Sequence, residues 1–269
     1  MMNKVSNLAE AIAKVKDGDL IAANFWGPGS PSYLCRAISE HNVKDLTICV
    51  NNFVPRADVL VEKGTPDPAS FLAQTKKIIT AFASTMQDDA SANAEIARRL
   101  EEGSLEFESM SHGIMMDRLY AGAMGLGGIY SPIGVDTVID EGKEKRVIDG
   151  IEYIFEKPLR PDVGLIKAEK ADTFGNLVYC GTSRASNPVM AMASRYTIAE
   201  VFEIVEPGEL DPETIVTPGV FVDKIVLVPE DDLFSKNRRV GYIMAGIEYR
   251  LQKEAAKLEE LEALRRGES

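Results

Sequence analysis

The chain has 269 residues, 45% of them hydrophobic and 27% charged, enough to bury the core of one large α/β domain. Its formal net charge of −12 argues against nucleic acid as a partner, because phosphate binding needs clustered lysine and arginine. Three cysteines without a CxxC pair and two histidines argue against a disulfide framework and a structural zinc site.

The opening stretch, MMNKVSNLAEAIAKVKDGD, has neither the apolar core nor the small-residue cleavage site of a secretory signal. No apolar run is long enough for a membrane span, so a cytoplasmic location with no membrane partner is expected. Residues 6–16 show helical spacing with Ser6 as the N-cap, and Asp17-Gly18 ends that helix. Leu20-Ile21-Ala22-Ala23 reads as a buried strand, followed by the turn Gly27-Pro28-Gly29-Ser30-Pro31 and a helix over SYLCRAISEH. LTICV is a second buried strand that runs into Asn51-Asn52. Residues 86–109 suggest a solvated helix or connection, and 113–134 hold six glycines, too many for one undisturbed element. VGLIKA (163–168) reads as a strand, VMAMASRYTIAEV (189–201) as a helix running into a strand, and FVDKIVLV (221–228) as a late strand.

Strands alternating with helices predict an α/β fold, an open, largely parallel sheet with helices on both faces. From Val240 onward the sequence is helix-forming, with Ile243, Ile247, Leu251, Ala255, Leu258 and Leu261 near a 3.5-to-4 spacing. The expected organisation is a main domain over residues 1–235 and a C-terminal helical extension over 236–269. That helix packs either on its own domain or against a partner subunit.

In open parallel sheets, ligands bind beyond the carboxyl ends of the strands, so polar turns after strands are the places to search. The first is Phe25-Trp26-Gly27-Pro28-Gly29, where glycines let backbone amides approach a ligand and the following helix favours an anion. It matches neither GxGxxG nor GxxxxGK[ST], which excludes the common dinucleotide and P-loop assignments. The second is Asn51-Asn52, two carboxamides that can donate to a carbonyl or carboxylate. The third is Ser111-His112-Gly113, ahead of the helical IMMDRLYAG, where an imidazole could serve a developing oxyanion. Each cluster alone also fits an ordinary turn or a packed structural residue. No Ser/His/Asp triad or nucleophile elbow is readable.

Taken in order, these clusters resemble the A (alpha) subunits of family I CoA-transferases. Phe25, Gly29 and Pro31 follow the pattern GGF-x-x-x-G-x-P, and Leu46-Thr47 leading to Asn51-Asn52 resembles LT…SNN. Ser111-His112-Gly113, Arg118 and Ala121-Gly122-Ala123-Met124-Gly125 resemble PQG…ERIRAGGAG, and Tyr130 to Val135 resembles YTPTGVGT. Ile166-Lys167-Ala168, Ala171-Asp172, Gly175-Asn176-Leu177, Asn187-Pro188, Glu200-Val201 and Pro218 to Asp223 continue the series, which spans roughly residues 4 to 230.

The resemblance implies a ping-pong transfer of CoA between an acyl-CoA and a 3-oxoacid or short-chain carboxylic acid. The nucleophile is a glutamate of a beta subunit, in a heterodimer or heterotetramer, and coenzyme A is a substrate with no permanently bound cofactor. It also implies that Asn51 and Asn52 bind the carboxylate or carbonyl, that residue 112 belongs to the oxyanion site, and that Phe25, Trp26, Gly27 and Gly29 shape the pocket. The family's S-E-N-G-type nucleophile motif has no equivalent; Glu108-Ser109 sits in another context. Ala23-Asn24 replaces the paired glycines, His112 replaces the usual glutamine, and four methionines (Met110, Met115, Met116, Met124) crowd the same region. These departures imply an acyl group other than the commonest short 3-oxoacids. The alternatives are a hydrolase or C–C cleaving enzyme of the same fold acting on acyl-CoA, and a non-catalytic metabolite-binding module.

Overall fold

The computed structural model describes residues 3–25, 27–51, 72–81 and 90–232. The chain divides into two units, residues 1–229 and 230–269. Only Glu230, Asp231 and Asp232 of the second are among the described residues, so the sequence-based C-terminal helix lies outside them.

Seven parallel strands form the main sheet: β1 (Leu20–Ala23), β2 (Leu46–Val50), β3 (Thr75–Thr80), β4 (Glu106–Ser109), β8 (Val163–Lys167), β11 (Tyr196–Val201) and β13 (Lys224–Leu227). Their order is β13-β11-β8-β1-β2-β3-β4. The sheet thus grows in one direction from β1 through β4, and in the other from β8 through β13. The switch point lies between β1 and β8, where Ala23 stands beside Leu165 on one side and Val50 on the other.

Successive strand residues point to opposite faces, and the burial follows that alternation. Ile21, Ala23, Ile48, Val50, Leu165 and Ile198 face one core, together with Leu34 and Ile38 of α2 (Ser32–Glu40), Ala11 of α1 (Leu8–Ile12) and Ile96 of α3 (Ala90–Glu101). Ala22, Cys49, Ile79, Ile166 and Ala199 face the other, together with Ile114, Met115 and Leu119 of α4 (His112–Ala123) and Val189 and Met190 of α5 (Asn187–Ala193). Helices therefore cover both faces, as the alternation of strands and helices predicts. Each fully buried leucine or isoleucine contributes about 2 kcal/mol by area. β8 and β11 are buried at every position, as interior strands of a doubly covered sheet must be.

Two small sheets elaborate this frame. β5 (Ile129–Ser131), β7 (Ile151–Glu156) and β6 (Lys145–Ile148) form an antiparallel one, and β10 (Leu177–Val178), β9 (Lys170–Asp172) and β12 (Glu203–Val205) a mixed one. Among the described residues, no helix is long and apolar enough to cross a membrane.

Strand β1, strand β2 and helix α2 stand where the sequence places them, and three local readings need correction. The first helix is shorter than 6–16, and its cap is Asn7, whose Oδ1 accepts from the Glu10 N–H at 2.9 Å. Ser6 instead donates its hydroxyl to the Glu10 carboxylate. Gly18, at φ +81°, serves the turn into β1 rather than a helix end. The stretch 86–109 holds not only α3 but edge strand β4, whose EFES sequence lacks apolar periodicity and whose Glu108 serves two ion pairs. Of FVDKIVLV, only Lys224–Leu227 is strand; Gly219–Phe221 is a 3-10 turn.

Gly122 of α4 lies so close to the backbone of Leu159 that a Cβ there would overlap the Leu159 carbonyl. The Gly122→Ala variant is therefore expected to lose about 2 kcal/mol or more, since backbone cannot yield as a flexible side chain does. Urea unfolding with an unchanged m-value checks it.

Candidate functional site

The carboxyl ends of β1 and β2 bring three sequence-selected residues into one hydrogen-bonded unit. The Phe25 N–H, just past β1, donates to Asn51 Oδ1 at 3.1 Å, just past β2. The Asn51 carbonyl in turn lies 2.8 Å from His112 Nε2, at the start of α4. A carbonyl only accepts, so this ring carries its proton on Nε2. Donation from His112 to a second acceptor must then come from Nδ1 of the imidazolium form. By the same logic Asn51, whose Oδ1 faces a donor, presents its Nδ2 hydrogens for donation elsewhere. Ser111 caps α4 by accepting from the Ile114 N–H at 3.2 Å, which fixes the turn carrying His112.

Gly27 and Gly29 open and close a 3-10 turn that begins two residues after Phe25. Gly29 is buried, and what comes close to it is the protein itself. A Cβ there would overlap the Ser183 carbonyl and lie 2.8 Å from Asn24 Nδ2 and 3.0 Å from Asn187 Nδ2. The sequence suggests close approach of a ligand at that glycine; the structure supplies an intramolecular reason for it. Trp26 and Asn52 lie outside the described residues.

The helix that opens at His112 is held by a chain of charges that the sequence alone does not assemble. Lys77 on β3 pairs with Glu108 on β4 at 2.7 Å, and Glu108 with Arg118 on α4 at 2.6 Å. Arg118 lies 3.9 Å from Glu156 on β7, which pairs with Lys143 at 2.5 Å. Arg118 Nε also donates to the Lys157 carbonyl at 2.6 Å. Five side chains of alternating sign thus bind α4 to the edge of the main sheet and to the small antiparallel sheet. Arg118 and Glu156 are both buried, and each has a closer partner of opposite charge, Glu108 for Arg118 and Lys143 for Glu156. Burial opposes charge on Glu108, yet hydrogen bonds from Lys77 and Arg118 outweigh it and hold the carboxyl below the usual carboxylate range.

These engagements bear on reactivity. Glu108 and Glu156 each face two cations, and Asp172 accepts from the Phe174 and Asn176 N–H groups and from Asn176 Nδ2. Cys49, one residue before the end of β2, is fully buried, and burial pushes its thiol up to about 12. These four side chains are held away from nucleophilic chemistry.

The reversal of strand order between β1 and β8 is the topology of open α/β folds, whose ligands meet the carboxyl ends of parallel strands. Comparison with known proteins narrows this. The family described as Coenzyme A transferase matches residues 5–227. The alpha subunit of the acetate CoA-transferase of Escherichia coli K12 is 36% identical over 231 residues, covering 86% of this chain and 99% of that protein. The corresponding A-type subunit of a probable succinyl-CoA:3-ketoacid coenzyme A transferase of Bacillus subtilis is 41% identical over 229 residues, covering 84% and 90%. In fold, the crystal structure of an acyl-CoA transferase from Escherichia coli O157:H7, in thioester complex with CoA, aligns with a TM-score of 0.69 at 20% identity. That alignment covers 85% of this chain and 48% of the other, so the present chain spans about half the length of that enzyme. The chain belongs to the coenzyme A transferase family.

The Arg118→Met variant leaves two carboxylates partly uncompensated and is expected to cost about 3 kcal/mol at neutral pH. The pH dependence has a definite sign. The folded-state value of Glu108 lies below its unfolded value, so its contribution is fully present above the unfolded carboxylate range. It is lost as pH falls through the folded value. The acid limb of a stability-versus-pH curve is therefore expected to be shallower in Arg118→Met than in the parent, measured by urea unfolding between pH 7 and the acid transition.

Proposed function

We propose that this chain is the alpha-type subunit of a heteromeric CoA-transferase that moves CoA from an acyl-CoA to a free carboxylic acid of the 3-oxoacid or short-chain class. The observation that carries the reading is correspondence over 99% and 90% of the length of two relatives that are themselves alpha-type subunits. Their designation as subunits supports a companion beta chain. Coenzyme A enters as substrate, and no resident cofactor is proposed. The proposed compartment is the cytoplasm.

In the proposed reaction, a glutamate on the beta chain attacks the thioester carbonyl and expels CoA thiolate, forming an acyl-glutamyl anhydride. The thiolate attacks the glutamyl carbonyl, releasing the first acid and leaving an enzyme–CoA thioester. The acceptor carboxylate then repeats the exchange in reverse, and CoA leaves on the new acyl group. The glutamate is regenerated and no oxidant or net proton is required.

This chain's part is to bind and orient. Asn51 Nδ2 donates to the carbonyl or carboxylate oxygen, with its side chain held by the Phe25 N–H. Asn52 is proposed as a second donor, and Phe25, Trp26, Gly27 and Gly29 as the wall of the acyl pocket. His112 holds the Asn51 backbone through Nε2, and as imidazolium it can add a donor toward an oxyanion.

The chain alone is expected to transfer no CoA, and the chain co-expressed with its beta partner to transfer it to one or more members of a panel of short-chain and 3-oxo acids that includes acetate, acetoacetate and 3-oxoadipate. Full transfer by the chain alone would overturn the half-site reading, and release of free CoA without transfer would support the hydrolase alternative. In the assembled enzyme, Asn51→Asp keeps an acceptor for the Phe25 N–H but exchanges the donor for a negative charge. Its kcat/KM is expected to fall about 100-fold, read by steady-state kinetics with the melting temperature as control.

A further inference from the structure

We propose that Glu200 is a positioning residue for the acyl pocket, fixing the amino terminus of α2 and through it the loop 24–31. The inference rests on the functional reading above and concerns a residue 166 positions downstream of the helix residue that it holds.

Helix α2 begins at Ser32, and Pro31 at its N-cap position provides no side-chain hydrogen bond. The first-turn N–H groups of a helix have no partner within it, so a buried amino terminus needs an acceptor from elsewhere. Glu200 supplies one. Its carboxylate Oε2 accepts from the Leu34 N–H at 3.0 Å, and both residues are fully buried. An acceptor oxygen there meets the positive end of the helix dipole. β8 lies between β11, which carries Glu200, and β1, from which the loop departs, so the bond bridges the switch point.

A second anchor reaches the same loop from the same half of the chain. Asn187 Nδ2 donates to the Gly29 carbonyl at 3.0 Å and to the Ser183 carbonyl at 2.9 Å, while Asn187 Oδ1 accepts from the Lys167 N–H at 3.2 Å. Lys167 is the register partner of Glu200 across β8 and β11, so both anchors sit at one level of the sheet. Between Ser183 and Asn187, Ala185 is held at φ 36° and ψ −129°, a conformation that side-chain-bearing residues rarely adopt. Such strain persists where surrounding contacts over-determine the backbone. The loop is thereby pinned at Gly29 and at Leu34, on either side of Pro31.

Stability alone gives no reason for this arrangement. A serine or aspartate at position 31 would cap α2 without burying a carboxylate, which costs desolvation. What Glu200 adds is a set distance between β11 and the pocket loop, and it is this distance that the test varies. Glu200→Gln keeps an oxygen at the same reach, Glu200→Asp keeps the charge but withdraws the acceptor by one methylene, and Glu200→Ala removes it. Trp26, the chain's single tryptophan, belongs to the loop by sequence and reports on it. Its emission maximum and acrylamide quenching are read in the full chain, and kcat and KM in the complex with the beta subunit. The exposed Glu203→Gln serves as control.

The expected result is a Trp26 change in Glu200→Asp and Glu200→Ala, with a loss of about 100-fold carried mainly by kcat, and near-parental behaviour in Glu200→Gln. Should the alanine variant not fold, the Asp/Gln pair carries the test. Loss of activity with unchanged Trp26 signals would overturn the positioning role and leave the proposed function standing. A Trp26 change with unaltered kinetics would instead overturn the loop's place in the pocket. Impairment of Glu200→Gln with near-parental Glu200→Asp would show that charge, not reach, is what matters, and equal impairment of the two would show that reach alone does not suffice; either result would also sink the proposal.

Discussion

Parallel strands bring their carboxyl ends to one edge, and between β1 and β8 the order of the sheet turns round, so the two neighbouring connections leave in opposite directions. The backbone emerging there must find partners that regular structure does not supply. Asn51 takes the Phe25 N–H, Asn187 takes the Lys167 N–H and serves two carbonyls, and Glu200 takes the Leu34 N–H. The polar side chains gathered at that edge answer hydrogen bonds that the topology leaves open. The proposed half-site of a CoA-transferase includes one of these carboxamides, Asn51.

The second constraint is electrostatic. An acidic chain that buries carboxylates must compensate them, and here compensation also orders the fold. Arg118 joins Glu108 on the sheet edge to Glu156 on the small sheet, with Lys77 and Lys143 closing the ends. Such a chain of pairs gains little net stability over apolar packing, but it penalises any displacement that separates its members. Because His112 opens the same helix that Arg118 anchors, the alignment of the imidazole with the Asn51 carbonyl depends on charges some distance away.

How much of this is legible in the sequence depends on whether an element's residues answer to local or distant demands. β1, β2 and α2 are readable because their apolar spacing matches the faces that they bury. β4 is hidden because Glu106 and Glu108 look like solvated charge, and only the neighbouring strand and helix show why one of them is there. The cap at Asn7 differs from the expected Ser6 by one residue, the ordinary uncertainty of a boundary where two capping residues adjoin. Of the proposed site, Phe25, Asn51 and His112 are found through resemblance and position, whereas Glu200 and Asn187 are visible only as members of a motif, with no sign of what they hold.

The amino-acid sequence by itself determined the α/β class, the alternation that sends residues to two opposite cores, and membership of the coenzyme A transferase family. These follow from local periodicity and from ordered motifs, which a linear chain records directly. Only the tertiary structure decided which carboxylate caps α2, which nitrogen of His112 carries its proton, and why Gly29 tolerates no side chain. Each is a contact between segments far apart in the chain, fixed by the order of strands in the sheet. That order is a property of the folded whole.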